Sequence, residues 1–278
     1  MAPKLSVVIP SYNSAPFIEE TMTSILRTEG LDMEVIVSDH SSTDGTWEKL
    51  QQFGSDPRVT LTQIPKGGGA PRNWNAVTEL ATGEYLKLVC GDDVVLPGTL
   101  ERQVAILDAD PSAQLTACRR NLIDARGKNF MTDWGLKGID QGPMPVAEAV
   151  RTTILSGGNL FGEPACVMLR RERLVETGLW NPDNPYLIDL ASYARAALPE
   201  GRFVPDVETG ATFRISSGQW SVALSKNQSE QFIRFNEWVH ATYPGVLSDA
   251  DLRKSAGTAK RMALKRRLAY VVLRSRMS

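Results

Sequence analysis

Histidine and cysteine are scarce in this 278-residue sequence, which carries two His and three Cys. Cys90, Cys118 and Cys166 lie far apart and form no CxxC pair, which argues against a zinc site and against a disulfide framework. Their apolar surroundings read as core thiols in a reducing compartment. No apolar run approaches the length of a membrane span, and "LSVVIP" at residues 5–10 is too short for a signal-peptide core and lacks a small-residue cleavage site. The expected location is therefore cytoplasmic. Phosphate-binding fingerprints are missing as well: there is no GxxxxGK[ST], and Gly67-x-Gly69 is followed by Arg72 instead of a third glycine. A Rossmann oxidoreductase needs its glycines after the first strand, where "PSYNSA" stands instead.

What is present is enough chain for one large α/β domain or two small ones, with a core that needs no covalent staple. Charge is nearly balanced overall, with 31 Lys+Arg and 32 Asp+Glu, but it is unevenly distributed. From residue 251 on there are nine basic residues against Asp251 alone, leaving 22 basic and 31 acidic residues for positions 1–250. An acidic body thus carries a basic tail suited to an anionic partner. The basic residues sit on one helix without interleaved stacking aromatics, so nucleic-acid binding is not expected.

Strand and helix signals alternate. "LSVVI" (5–9), "MEVIVSD" (33–39), "RVTLTQI" (58–64) and "EYLKLVC" (84–90) read as strands. Between them lie a helix capped by Ser14 with Pro16 in its first turn, a capped helix in "SSTDGTWEKLQQF", and "APRNWNAVTELATG" closed by Gly83. The pattern predicts a mainly parallel sheet covered on both faces, whose ligands bind where loops converge at the carboxyl ends of the strands.

Polar candidates gather at those ends. Ser11, Tyr12 and Asn13 follow the first strand, Asp39 and His40 the second, Arg72 and Asn73 the third, and Asp92 and Asp93 the fourth. Two adjacent carboxylates at the end of a buried strand repel each other and lose solvation, so they call for a cation or a proton. A solvated Gly-Asp-Asp turn is the plain alternative. Gly67 to Gly69 read as a turn that lets the Arg72 guanidinium approach a diphosphate.

"SVVIPSYN", "VIVSDHSSTDGT", "RNWNAVTELATGEYLKL" and "CGDD", in this order, resemble the family 2 glycosyltransferases, inverting nucleotide-sugar transferases of the GT-A fold. The resemblance covers about residues 4–215. "GNLFGEPACVMLRRE" resembles the family's acceptor-side segment, and "YLIDLASYARA" the stretch with its catalytic carboxylate. It implies an α/β, GT-A (Rossmann-like) domain over residues 1–215 and a C-terminal helical extension with a basic tail over 216–278. It further implies that Pro10, Ser11, Tyr12, Asn13 and Asp39 hold the nucleoside, Asp39 accepting the imide N–H of a uracil. Arg72 would face the diphosphate and Asp92 the sugar or ribose, while Asp93 would ligate Mg²⁺ or Mn²⁺. Asp189 is the implied catalytic base, and its apolar context in "PYLIDLA" would raise its pKa; a helix-N-terminal acid stabilised by the dipole is the alternative.

Three positions depart from the family pattern. Cys90 stands where many members have another aspartate, and His40 where a second aspartate is frequent, which keeps thymine and guanine open beside uracil. Ser216 replaces a frequent histidine metal ligand, so the third protein ligand is in doubt. His240 reads as a half-buried surface residue on a helix. Of Trp134, Trp180 and Trp220 in the acceptor half, one is expected to contact the acceptor. The tail reads as a helix over 248–277 with Leu252, Ala256, Ala259, Ala263, Tyr270 and Leu273 on one side, and Arg266, Arg267 and Arg274 encroaching. Two uses fit it: plain packing, or docking on an anionic membrane surface through residues 251–278. The expected activity is transfer of a sugar, foremost from a UDP-sugar, to a glycan or lipid-linked acceptor. A non-catalytic nucleotide-sugar or glycan-binding module is the alternative.

Overall fold

The structure, a computed structural model, describes residues 2–216, 224 and 227–273. Its strands are β1 (Leu5–Ser11), β2 (Met33–Asp39), β3 (Val59–Gln63), β4 (Tyr85–Leu88), β5 (Val94–Val95), β6 (Ala113–Ile123), β7 (Asn129–Trp134), β8 (Met144–Pro145), β9 (Val167–Arg170) and β10 (Arg202–Arg214). They form one sheet in the order β3-β2-β1-β4-β9-β6-β10-β5, with β7 on β6 and β8 on β10. The longer ladders, β1–β2, β2–β3, β1–β4 and β6–β10, are parallel. β9 runs antiparallel between β4 and β6, and the short edge pairings are also antiparallel.

Helices α1 (Ile18–Leu26), α2 (Thr46–Gln51), α3 (Gly69–Glu79) and α4 (Thr99–Ala109) alternate with the first strands. α5 (Val146–Ser156), α6 (Arg171–Glu176) and α7 (Ile188–Ala197) belong to the second half, and α8 (Gln228–Thr242) and α9 (Asp249–Leu273) follow the last strand. β1 is buried at every position because both faces are covered, which accounts for its unbroken apolar run. Phe232, Phe235 and Val239 of α8 join the same hydrophobic core as the sheet. Among the described residues no helix is long and apolar enough to cross a membrane.

The core also holds a lysine. Lys87 in β4 is fully buried, its Nζ donating to Gln103 Oε1 (2.8 Å) and to the Val167 carbonyl (3.4 Å). Burial lowers its pKa.

Two helix starts differ from expectation. The Ser14 side chain does not cap α1; its carbonyl accepts from the Phe17 and Ile18 N–H groups instead, and its own N–H donates to Thr46 Oγ1. At α2, Asp44 takes the capping part from outside the helix, accepting from the Thr46 and Ala15 N–H groups at 3.1 and 3.0 Å. One carboxylate thus ties the two loops together, a long-range use that local capping rules do not anticipate.

Candidate active site

Pro10, Ser11 and Asp39 end the neighbouring strands β1 and β2 in register, Pro10 opposite Ser38 and Ser11 opposite Asp39. The Val8 carbonyl accepts from Val89 on the β4 side and the Ser11 carbonyl from His40 on the β2 side. Pro10 therefore turns its missing N–H toward β4, past the end of that ladder at Val8, where a proline costs no sheet bond. The chain then turns at Asn13, which adopts φ 50° and is pinned to the next loop: its N–H donates to Ser42 Oγ and its Oδ1 accepts from the Thr43 N–H. Tyr12 is left 51 % exposed, its ring edge-on to His40 at 6.0 Å.

Asp39 is fully buried. Its Oδ2 accepts from the Ser42 N–H (3.2 Å) and Gln63 Nε2 (3.3 Å), while Oδ1 has no partner. Ser11 Oγ, Ser38 Oγ and Asn73 Oδ1 are likewise buried without partners, so the strand ends concentrate unmet polar atoms. Asn73 reaches this rim from α3, donating to the Ser11 carbonyl at 3.0 Å. Unmet buried acceptors such as Asp39 Oδ1 and Ser11 Oγ, on paired residues at the strand ends, suit a polar ligand.

His40 joins this rim to the glycine turn, its Nε2 lying 2.8 Å from the Gly67 carbonyl. Gly67, Gly68 and Gly69 all have positive φ, and a Cβ on Gly68 would stand 2.8 Å from Arg72 Cβ. Glycine is thus required for the turn to fold back on Arg72 at the start of α3. Arg72 is exposed and makes no ion pair among the described residues. It stands one turn inside α3, where the helix N-terminus adds to its attraction for anions.

The carboxylate doublet lies across β1 from Asp39. Gly91 makes this approach possible, because a Cβ there would meet Ser14 Oγ at 2.8 Å. Asp92 is half-buried, whereas Asp93 is 1 % exposed. Burial raises the Asp93 pKa well above the ordinary carboxylate range, and the charge of Asp92 adds to the effect. Arg214, at the end of β10, holds the turn: its N–H donates to Asp93 Oδ1 (3.2 Å), its Nε to the Asp92 carbonyl (3.0 Å), and its Nη2 to Glu20 Oε2 (2.7 Å).

Asp189 stands in the first turn of α7. It is half-buried by surface area, yet its carboxyl is enclosed by protein, and that burial pushes its pKa up to about 7. The Leu190 N–H at 2.7 Å and Asn159 Nδ2 at 2.8 Å favour the ionised form, and the nearby charge of Glu163 opposes it. Burial outweighs these bonds, including the one from the first turn of the helix. Glu163 is itself tied to the buried Arg120 by a two-point ion pair.

Cys90 brings the two halves together. Burial raises its thiol pKa well above the ordinary value, and Asp93, Asp92, Asp189 and Glu163 all add to the rise. The charges of the base candidate and of the doublet are thus both felt at this side chain. Cys90 packs against the hydrophobic core, as its strand suggested, and also feels the charges of these acids. Cys118 and Cys166 are buried as expected.

Among the described residues no three His, Cys, Asp or Glu side chains form a ready metal cage. Ser216 is half-buried at the position where a histidine ligand was in question. His240 is half-buried on α8, with Nδ1 near the Leu247 carbonyl and Nε2 near Asp249. Trp180 is 1 % exposed in a cluster with Trp74 and Tyr193, which removes it as an acceptor contact. Trp134 is 51 % exposed at the end of β7, and Trp220 lies outside the described residues. Sequence reasoning missed Asn159, Glu163, Arg120 and Arg214 as members of the site. The first two lie within "GNLFGEP", already noted as an acceptor-side segment, while nothing local marks the two arginines.

The family model described as "Glycosyl transferase family 2" matches residues 6–177. The chain belongs to this family. The Mycobacterium tuberculosis protein MT1568 is 30 % identical over 206 residues, covering 70 % of this chain and 62 % of that protein. The matched part of this chain thus spans less than two thirds of that relative. Among solved structures, Staphylococcus aureus TarS in complex with UDP-GlcNAc superposes with a TM-score of 0.71 at 19 % identity, covering 92 % of this chain and 71 % of that one. The Pyrobaculum calidifontis mannosyltransferase PcManGT, in complex with GDP-Man and Mn²⁺, superposes at 0.65 with 20 % identity, covering 98 % and 76 %. These two likenesses establish the GT-A fold.

Proposed function

We propose that this chain is an inverting glycosyltransferase that moves a sugar from a nucleoside-diphosphate donor, foremost a UDP-sugar, to a hydroxyl of a glycan or lipid-linked acceptor in surface polysaccharide or glycolipid synthesis. The observation that carries the reading is the buried Asp189 carboxyl, held by Asn159 with its pKa pushed up to about 7, within electrostatic reach of Cys90 as the Asp92–Asp93 turn is. A group that titrates near neutrality can take a proton and release it again. TarS, a poly(ribitol-phosphate) beta-N-acetylglucosaminyltransferase, supports a UDP-sugar donor and a polymeric acceptor.

In this reading Asp39 Oδ1, the buried orphan acceptor, receives the imide N–H of uracil, and Tyr12 covers the base from its exposed side. Ser11 and Asn13 line the nucleoside, with Pro10 fixing the loop. Arg72 and the start of α3 hold the diphosphate, and Asp92 meets the sugar or ribose. Asp189 accepts the proton of the acceptor hydroxyl while that oxygen bonds to the anomeric carbon. The bond to the diphosphate breaks on the opposite face, which inverts the configuration. Trp134 offers an aromatic face to the acceptor.

The doublet fits a hard divalent ion. Mg²⁺ and Mn²⁺ sites of this kind use one or two carboxylates and leave other positions to phosphate and water, so a three-residue cage is not required. Asp93 would hold the ion through the oxygen not taken by the Arg214 N–H. When bound, the ion neutralises charge on the leaving diphosphate. The Mn²⁺ complex of PcManGT supports this assignment.

The test is a panel of nucleotide sugars, with and without Mn²⁺, scored by thermal shift and nucleotide release. Asp189→Asn is expected to keep donor binding and lose transfer; normal turnover by that variant overturns the assignment. Donor binding without turnover in the wild type, across all acceptor classes, would favour the binding-module alternative.

A further inference from the structure

Helix α9 carries two apolar stripes on opposite sides. Ser255, Ala259 and Ala263 are buried where α9 packs on α5 and α8, and Arg266 Nη2 reaches across to the Gly157 carbonyl at 2.9 Å. Leu264, Leu268, Val271 and Val272 face away from the body and are 60, 59, 73 and 78 % exposed. At about 100° per residue, these four fall within an arc of about 100°, centred opposite Ala259 and Ala263. Exposed Lys260 and Arg267 run along one edge of the arc and exposed Lys265 along the other, while exposed Arg261 lies within it one turn before Leu264. No acidic residue follows Asp251.

The inner stripe is already used in packing. The single apolar side expected from the sequence was this inner one, and the encroaching arginines made it look imperfect. A second, outward stripe has no reason to exist for folding, since burying it gains nothing in the isolated chain. We propose that this outer face docks α9 on an anionic lipid bilayer. Apolar side chains flanked on both edges by cations match a surface with an acyl boundary beneath a layer of phosphates. Lys and Arg can lay their stems along the apolar arc while their charged ends stay at the headgroups. The helix would lie in the plane of the interface and not cross it.

Docking there would also orient the active site. α9 abuts Gly157, two residues before Asn159, which holds Asp189. The acceptor-side loop, packed on the opposite side of α9, would therefore be held one helix diameter, about 10 Å, from the bilayer. The docking proposal itself stands on α9 alone and does not depend on the catalytic reading.

The experiment is vesicle co-sedimentation of the full-length chain, using phosphatidylcholine alone and phosphatidylcholine mixed with phosphatidylglycerol. Binding is expected to the mixed vesicles, to weaken with added salt, and to be slight on phosphatidylcholine alone. The triple substitution Leu264→Ser, Leu268→Ser and Val271→Ser should abolish it. Substituting Lys260, Arg261, Lys265 and Arg267 by Gln should weaken it by about fivefold per charge removed. Because every substituted side chain is exposed, the thermal melts of both variants should match the wild type. Equal sedimentation of wild type and variants, or no preference for the anionic vesicles, overturns the proposal. So does a dimer that the triple substitution dissociates in a chain that ignores vesicles, since the face would then belong to a second copy.

Discussion

Asn159 donates through one nitrogen, Nδ2, to Asp189 Oδ2 and to the Gly162 carbonyl, each at 2.8 Å. Both amide hydrogens are thereby used, which fixes the orientation of the side chain. The loop after α5 and the first turn of α7 are locked to each other at the carboxyl proposed as the base. This hydrogen bond favours the charged acid, burial opposes it more strongly, and the balance leaves Asp189 near neutrality.

That balance predicts a pH profile. Below about pH 7 Asp189 keeps its proton, so kcat/KM should fall about tenfold per pH unit on the acid side. Asn159→Leu removes a bond to the ionised form, so the acid limb should move to higher pH. It also frees the carboxyl, and a misplacement of about 1 Å costs about a hundredfold in rate. Steady-state kinetics across the limb checks both effects, and a limb that stays in place would rule out Asn159 as a positioning residue.

The same acid should leave a mark on stability. In the unfolded chain Asp189 loses its proton near the ordinary 3.8, and in the folded protein only near 7. Its contribution is therefore fully present below about pH 4 and is lost as the pH rises through about 7. Asn at this position stays neutral throughout. Asp189→Asn should raise Tm by a few degrees above neutrality and leave it unchanged at about pH 4 and below. Melts at the two pH values, read beside the loss of transfer, separate this from a damaged fold.

The alternating strands and the polar residues gathered at their carboxyl ends were legible because each rests on local signals: β-branched runs, glycine turns, and polar residues at strand ends. The second half was less so. β9 runs antiparallel between two long strands, a pairing between residues far apart in sequence that no periodicity encodes. Arg120 and Arg214 read as ordinary charges because their partners come from far away in the sequence: Glu163 precedes β9, which pairs with the strand of Arg120, and β10 on β5 brings Arg214 to the Asp92–Asp93 turn. Cys90 packs on the core as its apolar strand indicates, while the acids whose charges reach it, Asp189 and Glu163, arrive from elsewhere in the chain.

Asp39 predicts base selection. Its Oδ1 is buried without a partner, so a uracil imide N–H would complete it with a charge-assisted bond. Asp39→Asn keeps the shape but removes the charge, and the amide can present a donor where an acceptor is needed. UDP affinity should fall by about tenfold to a hundredfold, since such bonds contribute about 1.5 to 3 kcal/mol. Calorimetric titration with UDP and GDP checks it. Unchanged UDP affinity, or tighter binding of GDP by the wild type, would leave Asp39 without the proposed contact.

The doublet gives the last prediction, and the two aspartates should separate. Asp93 is buried beside Asp92, and its charged form is disfavoured by both circumstances. Asparagine there removes the buried charge while still accepting from the Arg214 N–H, so Asp93→Asn should melt higher than the wild type without metal. With Mn²⁺ and UDP the order should reverse. The wild type gains stability by mass action, about 2.7 kcal/mol at a hundred times Kd, and Asp93→Asn loses the Mn²⁺-dependent part of that gain. Asp92→Asn, altered at the half-buried position, should keep the Mn²⁺ response and instead bind UDP-sugar more weakly than UDP. Thermal shifts of the three proteins with UDP, UDP-sugar and Mn²⁺ decide the matter. A Mn²⁺ response that survives in Asp93→Asn and disappears in Asp92→Asn assigns the ion to Asp92.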